Sequence, residues 1–178
     1  MSPLPAVDVL VVGGGLAGIV TALESLRAGL SVAVVDRDTP ERFGGLARWA
    51  FGGMALVGTP LQARAKIHDT PEIALRDWLS FGELDASDAW SLAWASHYVE
   101  RSRPEVHDWL LGEGLRFLPA VNWVERGRAG EGNSVPRYHV VWGTARELVL
   151  RLGDAMRRAG AGGRLQRLHR HRVLGLET

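Results

Sequence analysis

The sequence predicts an α/β fold in which a partial parallel sheet carries an inserted helical subdomain, and three observations predict it. Two short β-branched apolar runs, Val7 to Val12 and Ser31 to Val35, bracket a segment of helical periodicity. Glycines stand at Gly13, Gly15 and Gly18, where the first run meets that segment. Beyond Pro71 the apolar spacing turns helical again and stays so as far as Gly112.

Taken in order, Val7 to Val12 reads as a parallel strand covered on both faces, interrupted only by Asp8. Leu16, Ile19, Val20, Leu23 and Leu26 recur at helical spacing, and Gly29 falls where a left-handed C-terminal cap belongs. Ser31 to Val35 is again strand-like and stops at Asp36. A right-handed crossover makes the two strands parallel neighbours. Thr39 to Thr59 has small residues, two Gly-Gly pairs and little periodicity, so an extended ligand-facing loop is expected.

Helices follow around Ile73 to Trp78, from Ser87 through Trp90, Trp94 and Tyr98, and around Val106 to Leu110. Trp90, Trp94 and Trp109 sit at spacings that predict packing against a core rather than a ligand cage. Residues 125 to 134 read as a polar, glycine-rich loop. A helix capped by Thr144 buries Leu148, Val149, Leu152 and Met156, and Arg164 to Glu177 alternates as a strand. The expected organisation is a βαβ unit with its loop over residues 1–60, an inserted helical segment over 61–143, and a return to the first domain over 144–178.

Composition narrows the function. The 178 residues hold 46% hydrophobic and 23% charged side chains, as in an ordinary globular domain, and their net charge is +1. The absence of cysteine excludes disulfides, thiolate metal sites and cysteine nucleophiles, and a cytoplasmic location is expected. No apolar run suits a signal peptide or a membrane span. Eight arginines between Arg146 and Arg172 face only Glu147 and Asp154, yet no nucleic-acid motif accompanies them, and no nucleic-acid partner is expected. His169 and His171 would share a strand face, but no third ligand stands near, so no metal site is expected.

Chemistry concentrates at the first glycines. Gly13, Gly15 and Gly18 give the G-x-G-x-x-G spacing between a strand and a helix, and Asp36 closes the second strand. Gly13 permits the tight turn, Gly15 lets the backbone approach a pyrophosphate, and Gly18 lets helix and strand pack closely. The helix start offers free N–H donors to phosphate, and Asp36 can accept from ribose hydroxyls while disfavouring a 2′-phosphate. This predicts a Rossmann-like FAD/NAD(P)-binding fold and leaves FAD and NAD both open.

Gly44 to Met54, with Gly-Gly at 44–45 and Gly-Gly-Met at 52–54, resembles the second flavin-contacting loop of the fumarate reductase and succinate dehydrogenase flavoprotein superfamily. Asp108 to Phe117, and Asn133 to His139 with Gly143 and Thr144, are similar to later segments of that superfamily. The chain as a whole resembles the N-terminal portion of its FAD-binding dehydrogenases related to 3-ketosteroid dehydrogenase. The resemblance implies FAD as cofactor, contacted by Gly13, Gly15, Leu16, Ala17, Gly18, Asp36, Gly45, Leu46, Ala47, Gly52 and Gly53, with the Val173 backbone at the adenine. Leu46 departs from the polar residue common there and cannot hydrogen-bond the cofactor.

It further implies hydride transfer between flavin and a carbon–carbon bond next to a carbonyl, on a steroid-like or unsaturated carbonyl substrate. Arg137 and His139 are the local candidates for activating a carbonyl or moving a proton, although an Arg-x-His segment also suits a polar strand face. The chain stops near a third strand, so the expectation is a truncated enzyme completed by further sequence or a second chain. The alternative is a catalytically silent module that binds FAD or NAD.

Overall fold

The computed structural model describes residues 6–85, 87–124, 126 and 132–175, in two compact units. One unit runs to Gly52 and resumes at Gly143, and the other comprises Gly53–Trp142.

In the first unit β1 (Val9–Val12), α1 (Leu16–Arg27) and β2 (Val32–Val35) form the expected crossover. β2 lies between β1 and β5 (Leu165–Leu168), parallel to both, with Val32 opposite Val9 on one side and Leu165 on the other. Its four residues are all buried, as an apolar run covered on both faces must be. β1 differs, because Leu10 and Val12 are 50% and 58% exposed while Val11 between them is buried. The Asp8 carboxylate accepts from the backbone N–H and hydroxyl of Ser31 at 2.8 and 2.6 Å, which sets the two strands in register at their start.

Helix α1 buries Ile19, Ala22, Leu23 and Leu26 against the sheet and α6 (Thr144–Ala159), whose inward face is Ala145, Leu148, Val149, Leu152, Ala155 and Met156. A fully buried Leu or Met contributes about 2 kcal/mol, so this helix pair holds the unit together. Gly18 is where α1 meets β1. A Cβ there would lie 1.9 Å from the Gly13 carbonyl oxygen, so only glycine permits the approach.

Three expectations are corrected here. Thr144 is not the cap of α6: Gly143 is, and Thr144 is the first helical residue, its hydroxyl accepting from the Arg146 N–H. The strand expected over Arg164–Glu177 ends at Leu168, because Arg170 adopts a φ of 61° and turns the chain. Beyond it the Arg170 and His171 N–H groups donate to the Asp38 and Asp36 carbonyls, which lays residues 171–173 over the carboxyl end of β2. His169 and His171 therefore do not share a strand face; the His171 Nδ1–H donates to the His169 carbonyl at 2.6 Å.

The second unit pairs β3 (Gly53–Ala55) antiparallel with β4 (Tyr138–Val140). The expected loop thus gives way to a strand at Gly53, and Leu56, Val57 and Thr59 after it are buried. Helices α2 (Pro60–Arg64), α3 (Pro71–Gly82) and α4 (Ala89–Arg101) follow. A wide π-helical stretch, Ser102–Asp108, joins α4 to α5 (Trp109–Gly112), and Pro104 within it explains the widening, since proline lacks an N–H and crowds the preceding turn.

Trp90 and Trp94 are 83% and 67% exposed, against the expectation of packing, while Trp109 is half-buried. α4 instead turns Ala95 and Val99 inward and sets Tyr98 edge-on to Trp78 of α3. Apolar residues stand on every side of α4, so periodicity did not select the buried face. Most of the polar loop expected at 125–134 lies outside the described residues. No helix among the described residues is long and apolar enough to cross a membrane.

The Gly18 contact predicts that Gly18→Val costs about 3 kcal/mol or more, because the obstacle is backbone and cannot rotate away. Chemical unfolding of the purified chain checks this, and a loss below about 1 kcal/mol would show that the approach is looser than described.

Candidate cofactor site

The first unit gathers its polar chemistry at the carboxyl ends of β1 and β2. Gly13, with a φ of 101°, turns the chain out of β1, and its N–H donates to the Val35 carbonyl at 2.8 Å. The next N–H, that of Gly14, donates to Asp36 Oδ2 at 2.5 Å, and the Asp38 N–H donates to Oδ1 at 2.7 Å. Asp36 is thus held from both sides by backbone. A carboxylate offers about four acceptor sites, so two remain for hydroxyl groups of a ligand.

Gly15 caps α1 with extended backbone and no side-chain partner, which leaves the first N–H groups of the helix for a ligand. A Cβ placed on Gly15 would meet nothing within 4 Å. The turn therefore has open space in front of an uncapped, dipole-positive helix end.

The glycine-rich loop begins at this turn. Gly44 N–H donates to the Gly14 carbonyl at 3.0 Å, and Gly45 would place a Cβ 3.5 Å from the Gly15 Cα. A tight 3-10 turn over Gly45–Trp49 follows, with Leu46 89% exposed and Ala47 half-buried. Trp49 and Phe51 are also largely exposed, so the loop presents an apolar surface. Gly52 packs against the start of α6, where a Cβ would lie 2.5 Å from the Ala145 nitrogen.

A cleft of about 320 Å³ joins Val12, Gly13, Asp36, Gly45, His171 and Val173, with Arg37 at its rim. The structure thus brings together Gly13, Asp36, Gly45 and Val173 of the expected contacts, with Gly15 beside them. Gly18 meets Gly13 where α1 approaches β1, Leu16 is half-buried at the start of that helix, and Ala17 is exposed on its first turn. Gly14, His171 and Arg37 were not expected. The run of three consecutive glycines was a signal for Gly14, the middle one, whose N–H holds Asp36. Nothing local in the sequence pointed to His171, which arrives through the turn after β5.

Gly53, Arg137 and His139 belong to the second unit. A Cβ on Gly53 would collide with the Tyr138 ring at 1.8 Å, so the β3–β4 pairing accounts for this glycine. Arg137 and His139 are both buried, not on an exposed polar strand face. Arg137 grips Asp69 with Nε at 2.9 Å and Nη2 at 2.9 Å, and Nη1 reaches Asn133 and Asp77 at 2.8 Å each. Burial alone would raise the Asp77 carboxyl; the Ser134 N–H and hydroxyl, with Arg137, outweigh it and hold the group below its ordinary range. His139 Nδ1 meets the Arg137 carbonyl at 2.6 Å and Nε2 meets the Thr59 hydroxyl at 2.7 Å. A carbonyl only accepts, so Nδ1 carries the proton and Nε2 accepts from Thr59. Among the described residues no His, Asp and Glu gather to hold a metal ion.

Burial pushes the His139 pKa below its ordinary value, opposed only in part by the Arg137 carbonyl. The folded chain therefore keeps this imidazole neutral, and the unfolded chain binds the extra proton below about pH 6.5. The stability this contributes is complete above that pH and is lost as pH falls through the folded value. Thermal unfolding followed from pH 7.5 down to roughly 5.5 should show a steeper decline for the wild type than for His139→Gln. Equal slopes would remove His139 as the cause.

Comparison with known proteins follows the same lines. Residues 8–178 match the family model described as FAD binding domain. The chain is 44% identical over 170 residues to a KsdD-like steroid dehydrogenase of Mycolicibacterium smegmatis, which covers 93% of this chain and 30% of that protein. It is 32% identical over 138 residues to a fumarate reductase (cytochrome) of Shewanella frigidimarina, covering 74% of this chain and 23% of that one. The fold matches the open conformation of a flavocytochrome c3 fumarate reductase with a TM-score of 0.79 at 25% identity, over 99% of this chain and 28% of that one. The chain thus spans less than a third of the length of these curated relatives. The choice between FAD and NAD that the glycine spacing left open falls to FAD, and the chain belongs to the FAD binding domain family.

Proposed function

We propose that this chain supplies the nucleotide-holding half of an FAD-dependent oxidoreductase that acts on a carbon–carbon bond beside a carbonyl. The observation that carries the reading is the open, uncapped start of α1 at Gly15 next to a backbone-clamped Asp36. Gly13, Gly15, Gly18 and Asp36 would hold the pyrophosphate and ribose, Gly45 to Ala47 and Gly52 the flavin side, and the Val173 backbone the adenine. Gly53 is the weakest of the expected contacts, since Tyr138 already explains it. When bound, FAD supplies hydride acceptance or donation. The chain's own residues bind and orient: N–H groups neutralise phosphate charge and the Asp36 carboxylate accepts from hydroxyls.

A steroid-like or unsaturated carbonyl substrate is proposed from the relatives, one of which is named a KsdD-like steroid dehydrogenase. Further polypeptide, in the same chain or a second one, would cover β1, where Leu10 and Val12 stand exposed. A cytoplasmic setting suits the absence of cysteine.

One observation favours the second reading, a module that binds FAD without turnover. Arg137 and His139 spend their polar atoms on Asp69, Asp77, Asn133, Thr59 and each other, so we assign them to positioning the β3–β4 framework rather than to proton transfer.

Both readings require flavin binding. Titration of the chain with FAD, followed by quenching of flavin fluorescence, should saturate, with NAD a poor competitor. Gly15→Val should weaken FAD by at least roughly tenfold, since the side chain fills ligand space, while leaving the circular dichroism spectrum unchanged. Wild-type chain that ignores FAD, or a Gly15→Val variant of equal affinity, would overturn the assignment.

A further inference from the structure

A second cleft of the first unit lies between α6 and the segment from Pro40 to Arg48, and it shares no lining residue with the cofactor cleft. Its volume is about 190 Å³. Three guanidinium groups line it, from Arg48, Arg157 and Arg167, against the single carboxylate of Asp154.

The pairing within the cleft leaves charge over. Arg157 forms an ion pair with Asp154. Arg48 Nη1 makes only a long contact, 3.4 Å, to the Phe43 carbonyl. The Arg167 side chain has no hydrogen bond or ion pair among the described residues, and its guanidinium carbon stands 5.9 Å from the centre of the Phe43 ring. Two positive charges therefore line the cleft without an ion-pair partner among the described residues. The apolar part of the lining is made by Pro40, the buried Phe43 ring, Val149 and the part-exposed Leu150.

Cationic and apolar side chains lining one small cleft define a ligand class. We propose that this cleft binds a small phosphate monoester with an apolar substituent, its phosphate against Arg48 and Arg167 and its hydrocarbon part against Phe43 and Leu150. A monoester carries close to two negative charges at neutral pH, which matches the two unpaired arginines. Guanidinium groups suit phosphate because their planar forks donate two parallel hydrogen bonds.

The site has a consequence for the cofactor loop, and this part rests on the FAD reading. Arg48 belongs to the turn Gly45–Trp49, and Gly44 before it is so close to α6 that a Cβ would lie 2.3 Å from Val149 Cγ1. An anion bridging Arg48 to Arg167 on β5 ties that turn to the sheet. The ligand therefore favours the ordered loop that FAD also requires, and the two bind with positive coupling.

Calorimetric titration of the full chain with phenyl phosphate, without FAD, tests the site alone. Saturable binding is expected, absent with sodium chloride at matched ionic strength. Arg167→Gln and Arg48→Gln should each weaken it by roughly tenfold or more, and Arg146→Gln, on the exposed side of α6, should leave it unchanged. Binding that does not saturate, that chloride reproduces, or that survives Arg167→Gln intact would overturn the site. FAD affinity measured with saturating phenyl phosphate should then rise several-fold, and an unchanged value would overturn the coupling while the calorimetry stands.

Discussion

The Asp36 carboxylate, held between the N–H groups of Gly14 and Asp38, is the constraint on which the first unit is organised. It fixes the glycine turn against the end of β2. The Gly44 N–H on the Gly14 carbonyl then hangs the second glycine loop from that turn, and the His171 N–H on the Asp36 carbonyl brings the last segment over the same spot. Three distant pieces of chain meet at one acidic residue. Because the N–H groups consume one acceptor site on each carboxylate oxygen, the carboxylate is oriented and still able to receive a ribose.

The second unit is organised around a different interaction. Arg137 is closed by Asp69, Asp77 and Asn133, and its carbonyl orients His139, which in turn receives the Thr59 hydroxyl at the cap of α2. A buried ion pair gains little over apolar packing, but removing one partner strands the other charge and costs about 3–5 kcal/mol. Such a network specifies one arrangement of strand and helices.

Much of the first unit was legible in the sequence because its signals are local. The apolar runs, the glycine spacing and Asp36 lie within thirty residues of one another, and each carries its own steric or electrostatic reason. The face of α4 was not legible, since apolar side chains surround it and only tertiary packing chose Ala95 and Val99 over Trp90 and Trp94. The length of the last strand was hidden for a similar reason: alternation continued past Leu168, but backbone bonds to Asp36 and Asp38 turned the chain away. Arg137 and His139 looked like polar groups available for chemistry, because the partners that bury them, Asp69 and Thr59, stand far away in sequence.

Amide hydrogen exchange of the chain with and without FAD reads the backbone groups assigned to the cofactor. Protection is predicted at Gly15 through Gly18, at Gly45 to Ala47 and around Val173, with Arg137 to Val140 unchanged. Saturation with FAD that leaves the amides of Gly15 to Gly18 exchanging as before would place the cofactor elsewhere than on the start of α1.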